Sequence, residues 1–155
     1  MRTKKDIAKD YRTYLKTTLK KDPKIVDAFT DDEIVGIVVE KCYDTEVYDG
    51  KKICSDTAWF HFINFIVHKD TVTEKVIWNK FVKEVFCMIE RSPYTCFMAS
   101  RGLGKSYITF CLYPLFKTFL FEHTDVLLVT NIPKMAKRNI RVMKRIVDTN
   151  EILLQ

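Results

Sequence analysis

Residues 99–106 read Ala-Ser-Arg-Gly-Leu-Gly-Lys-Ser, which is the pattern of a phosphate-binding loop with one departure. The usual pattern is G-x-x-x-x-G-K-[ST], and Ala99 stands where the first glycine is expected. In such a loop the backbone N–H groups surround a phosphate, the lysine reaches the β- and γ-phosphates, and the final hydroxyl holds Mg²⁺. Lys105 and Ser106 occupy those two positions. Because the motif requires a strand before it and a helix after it, it constrains the fold more than any other segment.

The segments on both sides of the loop have the composition that this order requires. Residues 94–98 form a short β-prone run, and residues 105–121 are apolar nearly all round, as in a buried helix. Residues 125–130 contain the near-continuous apolar run of a strand that is buried on both faces. We therefore predict an α/β fold with the first βαβ unit of a P-loop NTPase, an incomplete parallel sheet, and a helix that is kinked or broken at Pro114. The alternative is a glycine-rich turn with an exposed lysine.

The preceding part of the chain predicts helices and one hairpin. We place a boundary between a helical region at 1–92 and a partial NTPase core at 93–155. Thr30 and Glu33 form a capping box, which predicts a helix from there to about residue 41, although its Ile and Val residues also suit a strand. The dipeptide Asp49-Gly50 predicts a turn within a hairpin. Further helices are predicted at 4–20, 57–67, 73–90 and 133–147.

Positive charge is concentrated towards the two ends of the chain. The net charge is +6, and residues 1–24 carry nine basic and three acidic side chains. Residues 134–145 carry six basic side chains and no acidic ones, spaced so that they share one helix face. This stripe predicts contact with double-stranded DNA, and the alternative is a solvated surface. Its members are Lys134, Lys137, Arg138, Arg141, Lys144 and Arg145, and the predicted buried face opposite carries Ala136, Ile140, Met143 and Val147.

Composition limits the remaining classes of protein. No segment of about 18 residues lacks charged side chains, and no apolar segment follows the basic N-terminus, so we expect neither a membrane span nor a secretory signal. The five cysteines are scattered without a C-x-x-C pair, which is typical of reduced thiols. Their spacing to histidines does not match a zinc site.

The motif and its surroundings resemble the large terminase subunits of tailed bacteriophages. In that family the first glycine of the loop is often replaced, and an arginine is common at the position of Arg101. An apolar helix, a strand like residues 125–130, Asn131, and a helix with Ala136 and several basic residues follow in a similar order. The resemblance covers residues 70–155 well and the N-terminal part loosely.

The resemblance implies a motor ATPase that uses ATP and Mg²⁺ to move double-stranded DNA into a procapsid in the host cell cytoplasm. Its partners would be the small terminase subunit, the portal, and the rest of the ATPase and nuclease. By position, Lys105 matches the phosphate-binding lysine, Ser106 the Mg²⁺ ligand, and Arg101 the candidate sensor of the γ-phosphate. Asn79 is the candidate substitute for the family's adenine-contacting glutamine. The other predicted nucleotide-binding residues are Ser100, Gly102, Leu103, Gly104 and Tyr107.

The sequence after the loop lacks a counterpart of the family's Walker B carboxylates, catalytic glutamate and nuclease carboxylates. We therefore expect an N-terminal ATP-binding segment that does not hydrolyse ATP alone, as a truncated product, one part of a split gene, or a fragment. Two other hypotheses stay open. One is a piece of a different, helicase-like P-loop ATPase. The other is a non-enzymatic module that binds DNA or a partner through its basic ends and keeps a vestigial loop.

Overall fold

The computed structural model describes most of the chain and shows it to be mainly helical. The described residues are 1–67, 80–96, 98, 104–121, 123–127, 129 and 132–154. In chain order the elements are α1 (Lys4–Thr17), α2 (Pro23–Ala28), α3 (Asp31–Cys42), β1 (Thr45–Tyr48), β2 (Lys51–Cys54), α4 (Asp56–His61), α5 (Lys80–Arg91), α6 (Lys105–Tyr107), α7 (Tyr113–Leu120) and α8 (Pro133–Asp148). One π-helical segment, Phe62–Val67, continues α4, and a second, Ile108–Leu112, joins α6 to α7.

Helix α3 begins where its capping box predicts. The Glu33 N–H donates to the Thr30 hydroxyl at 3.3 Å, and the Thr30 N–H donates to the Glu33 carboxylate at 2.7 Å. Two backbone donors at the open helix end are thereby satisfied within one turn. The carboxylate accepts from the backbone and from the hydroxyl of Thr30, and these hydrogen bonds lower the pKa of Glu33. The predicted helix is confirmed, and the competing strand is not formed.

The hairpin turns at the predicted dipeptide. Strands β1 and β2 pair antiparallel, with Tyr48 opposite Lys51. Asp49 and Gly50 have φ angles of 49° and 71°, so both central residues are left-handed. A two-residue turn with this backbone matches the right-handed twist of paired strands, which is why Asp-Gly favours it.

The core is built around Trp59 on α4. Its ring lies 3.7 Å from the Phe86 ring on α5 and 3.6 Å from the Phe116 ring on α7, centroid to centroid. All three side chains are almost fully buried. The helix that follows the phosphate loop is therefore packed directly against the N-terminal helices, and one buried cluster contains residues from both sides of the predicted boundary at 92/93.

The helical segment 105–120 continues through Pro114 without a break and is irregular in the turn before it. The π-helical segment Ile108–Leu112 lies immediately before the proline, which is in the first turn of α7. A proline lacks the N–H that an α-helix uses at that point, and its ring collides with the carbonyl four residues earlier. Widening the preceding turn relieves both conflicts without ending the helix.

The end of the first π-helical segment is held by side chains from the two ends of the chain. Arg2 donates to the Phe65 carbonyl through Nε and Nη2 at 3.0 and 2.8 Å. Asn150 donates to the Ile66 carbonyl through Nδ2 at 2.6 Å. The backbone N–H of Arg2 also donates to the Thr149 carbonyl at 2.6 Å. We call this arrangement of Arg2 and Asn150 on the two carbonyls the terminal clamp.

The predicted α/β fold is wrong. Within the described residues the only sheet is the antiparallel β1–β2 hairpin, and the described positions of 94–98 and 125–130 form no strand. Met98 is 99% exposed and Leu127 is 86% exposed, although their apolar character suggested burial. A strand is stabilised by pairing with its neighbours, and no described segment forms a strand ladder with these runs. The described residues therefore form neither the βαβ unit nor its incomplete parallel sheet.

Candidate functional site

Gly104 marks the junction between the phosphate loop and the following helix. Its φ is 73° and its ψ is 8°, a left-handed conformation that costs energy for any residue with a side chain. Helix α6 begins at Lys105, and the Gly104 carbonyl already accepts from the Ile108 N–H at 2.9 Å. The second glycine of the motif is therefore placed where its lack of a Cβ is needed.

The side chains after Gly104 occupy the first turn of this helix. Lys105 and Ser106 are partly exposed, and Tyr107 packs against the core. Tyr107 thus anchors the turn while its two predecessors lie at the surface. A helix N-terminus carries a partial positive charge and favours bound anions, and Lys105 adds a full positive charge beside it. This geometry suits a phosphate group.

The other predicted loop residues and the predicted adenine contact lie outside the described residues. These are Ser100, Arg101, Gly102, Leu103 and Asn79. Their assignments stay predictions.

A cavity of about 580 Å³ lies between the two segments that flank the loop. One wall comes from the end of α5 and the turn after it, and the other from the helical segment after Gly104. We call it the α5–α7 cavity. Its lining residues are Lys51, Ile89, Glu90, Arg91, Ser92, Pro93, Thr95, Thr109 and Tyr113.

A buried ion pair supports one wall of this cavity. The Glu90 side chain is 4% exposed, and its Oε1 lies 2.7 Å from the Lys117 Nζ. Its Oε2 accepts from the Cys54 N–H at 3.3 Å. A buried carboxylate is retained only when its charge is matched, and here a cation and a backbone donor match it. The sequence did not predict this pair, because its only signal is a single charge on each of two largely apolar helix faces.

The ion pair acts on two neighbouring groups that titrate. Burial raises the pKa of the Cys54 thiol to about 11, and the Glu90 carboxylate adds to that effect. Burial and the same carboxylate also raise the pKa of the Tyr113 hydroxyl. Both groups are therefore neutral at physiological pH, and the thiol is not activated as a nucleophile. The cluster is suited to shaping a wall of the cavity rather than to covalent chemistry.

Helix α8 presents the predicted basic stripe to solvent. All six of its lysines and arginines are exposed, within an arc of roughly 120° on an ideal helix. Ile146 is 3% exposed on the opposite side, where Met143 and Val147 pack against the core. Ile140 is 53% exposed, so the buried face differs from the predicted one at this position. The helix is turned so that Asn139, whose carbonyl accepts from the Cys111 thiol at 3.7 Å, faces the second π-helical segment instead.

Comparisons with known proteins give no family for this chain. No protein-family model, curated protein or solved structure matches it. Within the described ranges, no group of three or more His, Cys, Asp or Glu side chains is placed to hold a metal ion. The described helices include none with the length and apolar character needed to cross a bilayer.

Proposed function

We propose that this chain binds a nucleoside triphosphate with Mg²⁺, ATP by the motif's resemblance, at the loop 99–106 and the start of α6. The observation that carries the proposal is the left-handed Gly104 directly before a helix whose first turn presents Lys105 and Ser106. The lysine would pair with the β- and γ-phosphates, and the serine hydroxyl would contribute one ligand to Mg²⁺. Mg²⁺ would neutralise phosphate charge and orient the triphosphate.

The proposed setting is the ATP-binding segment of a phage DNA-packaging motor in the host cytoplasm. The support is the resemblance of the loop and of the basic helix after it to large terminase subunits. The described residues form no parallel sheet, so the fold does not support this proposal. The proposal depends on the motif and on the loop–helix junction. The proposal does not include hydrolysis of ATP by this chain alone, since no apolar run ending in Asp-Glu follows the loop in this sequence.

Calorimetry with Mg·ATP on the purified chain tests this proposal. Lys105→Ala is expected to weaken binding roughly tenfold to a hundredfold, because a charge-assisted contact to phosphate is lost. Lys9→Ala removes an exposed lysine from α1 and is the matched control, with no expected change. Equal affinities in the wild type and the Lys105 variant would refute the phosphate site.

The exposed stripe on α8 supports a second proposal, which is binding of double-stranded DNA. Each phosphate neutralised by a lysine or arginine releases counterions, so affinity falls steeply with salt. Changing Lys137, Arg141 and Lys144 to Gln is expected to lower the slope of log K against log salt by about 2–3, at roughly 0.9 per lost phosphate contact.

A control with the same change in net charge separates a specific surface from general attraction. Lys41, Lys52 and Lys80 are exposed and lie outside α8. Their triple change to Gln is expected to leave the slope near the wild-type value. Fluorescence anisotropy with duplex DNA at several salt concentrations measures both variants. Equal losses of slope would show that charge alone, and not the α8 stripe, attracts DNA.

A further inference from the structure

We propose that the α5–α7 cavity receives the nucleoside part of the triphosphate whose phosphates bind at Lys105 and Ser106. The inference rests on the proposed function and extends it from the phosphates to the ribose and the base. It is carried by where the cavity lies, by the groups that line it, and by the ion pair that holds its wall.

The cavity lies between the two segments that the phosphate loop connects. Pro93 and Thr95 line it from the segment before the loop, and Thr109 and Tyr113 line it from the segment after the loop. The Thr109 hydroxyl donates to the Lys105 carbonyl at 2.8 Å, so this wall begins one helical turn beyond the motif lysine. A triphosphate carries its ribose on the α-phosphate, and the nucleoside must therefore lie beside the loop.

The size and lining of the cavity match a nucleoside. A volume of about 580 Å³ is within the usual range for small-molecule sites. Ile89 and Tyr113 are half-buried and offer carbon surface to a base, while Ser92 and Thr95 are exposed at the rim. A site with an apolar wall and a few hydroxyl groups can hold a flat ring and orient a sugar.

The rim hydroxyls have acceptor capacity for a ribose. The Ser92 hydroxyl donates to the Tyr94 carbonyl at 2.7 Å, and the Thr95 hydroxyl donates to the Met88 carbonyl at 3.2 Å. Each hydroxyl has one proton and two lone pairs, so an oxygen whose proton is used can still accept. The 2′- and 3′-hydroxyls of a ribose are donors that match these oxygens.

The ion pair in the wall of the cavity holds this wall in place without a ligand. Glu90, itself a lining residue, is held by Lys117 on α7 and by the Cys54 N–H on β2, which joins three elements at the cavity. A preformed wall avoids the ordering cost that a flexible site would incur on binding.

The test compares Mg·ATP with magnesium tripolyphosphate, which carries the phosphates without a nucleoside. We expect the wild-type chain to bind ATP at least about tenfold more tightly than tripolyphosphate, since the nucleoside adds hydrogen bonds and buried surface. Thr95→Trp fills the rim and is expected to remove that preference while leaving tripolyphosphate affinity unchanged. Thr17→Trp, an exposed threonine on α1, is the matched control and is expected to keep the preference.

A second variant keeps the experiment decisive if the tryptophan disturbs folding. Thr95→Val preserves the shape of the side chain and removes the hydroxyl. It is expected to reduce the wild-type preference for ATP over 2′,3′-dideoxy-ATP severalfold, because the Ser92 hydroxyl remains as the second acceptor.

Each contrary result identifies what has failed. Equal wild-type affinities for ATP and tripolyphosphate would overturn the nucleoside pocket and leave the phosphate site standing. An ATP preference that survives Thr95→Trp in a folded variant, together with a preference over dideoxy-ATP that Thr95→Val leaves unchanged, would place the nucleoside elsewhere and overturn the inference. Absence of binding for both ligands would overturn the proposed function and the pocket with it.

Discussion

Asn150 closes the terminal clamp, and replacing it with alanine is expected to destabilise the fold by about 2–5 kcal/mol. The side chain is 3% exposed and donates to the Ile66 carbonyl at 2.6 Å. Its Oδ1 accepts from the N–H groups of Ile152 and Leu153 at 3.0 and 3.4 Å. A buried carbonyl without a donor costs about 1–3 kcal/mol, and the two partly buried N–H groups add about 0.5–1 kcal/mol each.

The loss would be a large fraction of total stability, which is typically about 5–15 kcal/mol for a single domain. Urea unfolding followed by circular dichroism measures it directly, and the melting temperature is expected to fall by about 2–4 °C for each kcal/mol. Asn139→Ala is the matched control, because the Asn139 amide nitrogen is buried without a hydrogen-bond partner among the described residues. Removing an unpaired amide is expected to change the free energy of unfolding by less than about 1 kcal/mol.

Asn150→Asp adds a test of the donor itself. The aspartate keeps an oxygen for the two N–H groups but directs a carboxylate at the Ile66 carbonyl, so at neutral pH it is expected to be at least as destabilising as alanine. At low pH the aspartate is protonated and can again donate to the Ile66 carbonyl. Asn150→Asp is therefore expected to be less destabilising, relative to Asn150→Ala, at low pH than at neutral pH. Equal free energies of unfolding for wild type and Asn150→Ala, or equal losses for Asn150→Ala and Asn139→Ala, would refute the account of the clamp.

Two further predictions concern single positions in the helices. Gly36→Ala is expected to stabilise the chain by about 0.5–1 kcal/mol in the same urea assay, because Gly36 lies inside α3 and a Cβ there meets no atom within 4 Å; a destabilised variant would contradict this. Burial lowers the pKa of His61, whose Nδ1 contacts the Thr57 carbonyl at 2.7 Å. The unfolded chain therefore takes up a proton that the folded ring resists, and stability is expected to fall as pH drops from about 7.5 through the ordinary histidine value of 6.5. His61→Gln should flatten this slope of stability against pH, and an unchanged slope would assign it to other groups.

Local chemistry was predictable from the sequence, and long-range pairing was not. The capping box at Thr30 and the Asp49-Gly50 turn depend on residues within four positions, and both are where they were expected. Residues 125–130 have the composition of a buried strand, but composition does not say whether a neighbouring strand exists. The structure accordingly places Leu127 in solvent. An apolar run forms a strand only where other segments of the protein supply neighbouring strands to pair with it.

The same distinction applies to the candidate site. The position of Gly104 followed from the motif, because the loop chemistry itself requires a glycine there. The Glu90–Lys117 pair joins α5 to α7, and nothing in either segment alone indicates it. In the sequence, Arg2 is one of nine basic residues near the N-terminus. In the structure it is only 8% exposed and donates to the Phe65 carbonyl in the π-helical segment. A lysine or arginine can be assigned to a binding surface only when the fold shows that its side chain is exposed.

The terminal clamp also sets an order of events for a chain made from its N-terminus. Arg2 and its acceptor Phe65 are 63 positions apart, so this contact becomes available before α5 and all later elements have been made. Asn150 reaches Ile66 across 84 positions, and the Lys4 N–H reaches the Glu151 carboxylate across 147. Contacts of such separation close large loops and slow folding. The Lys4 N–H therefore waits longest for its partner, and helices α1 to α4 are made before the residues that join them to the segment after α8.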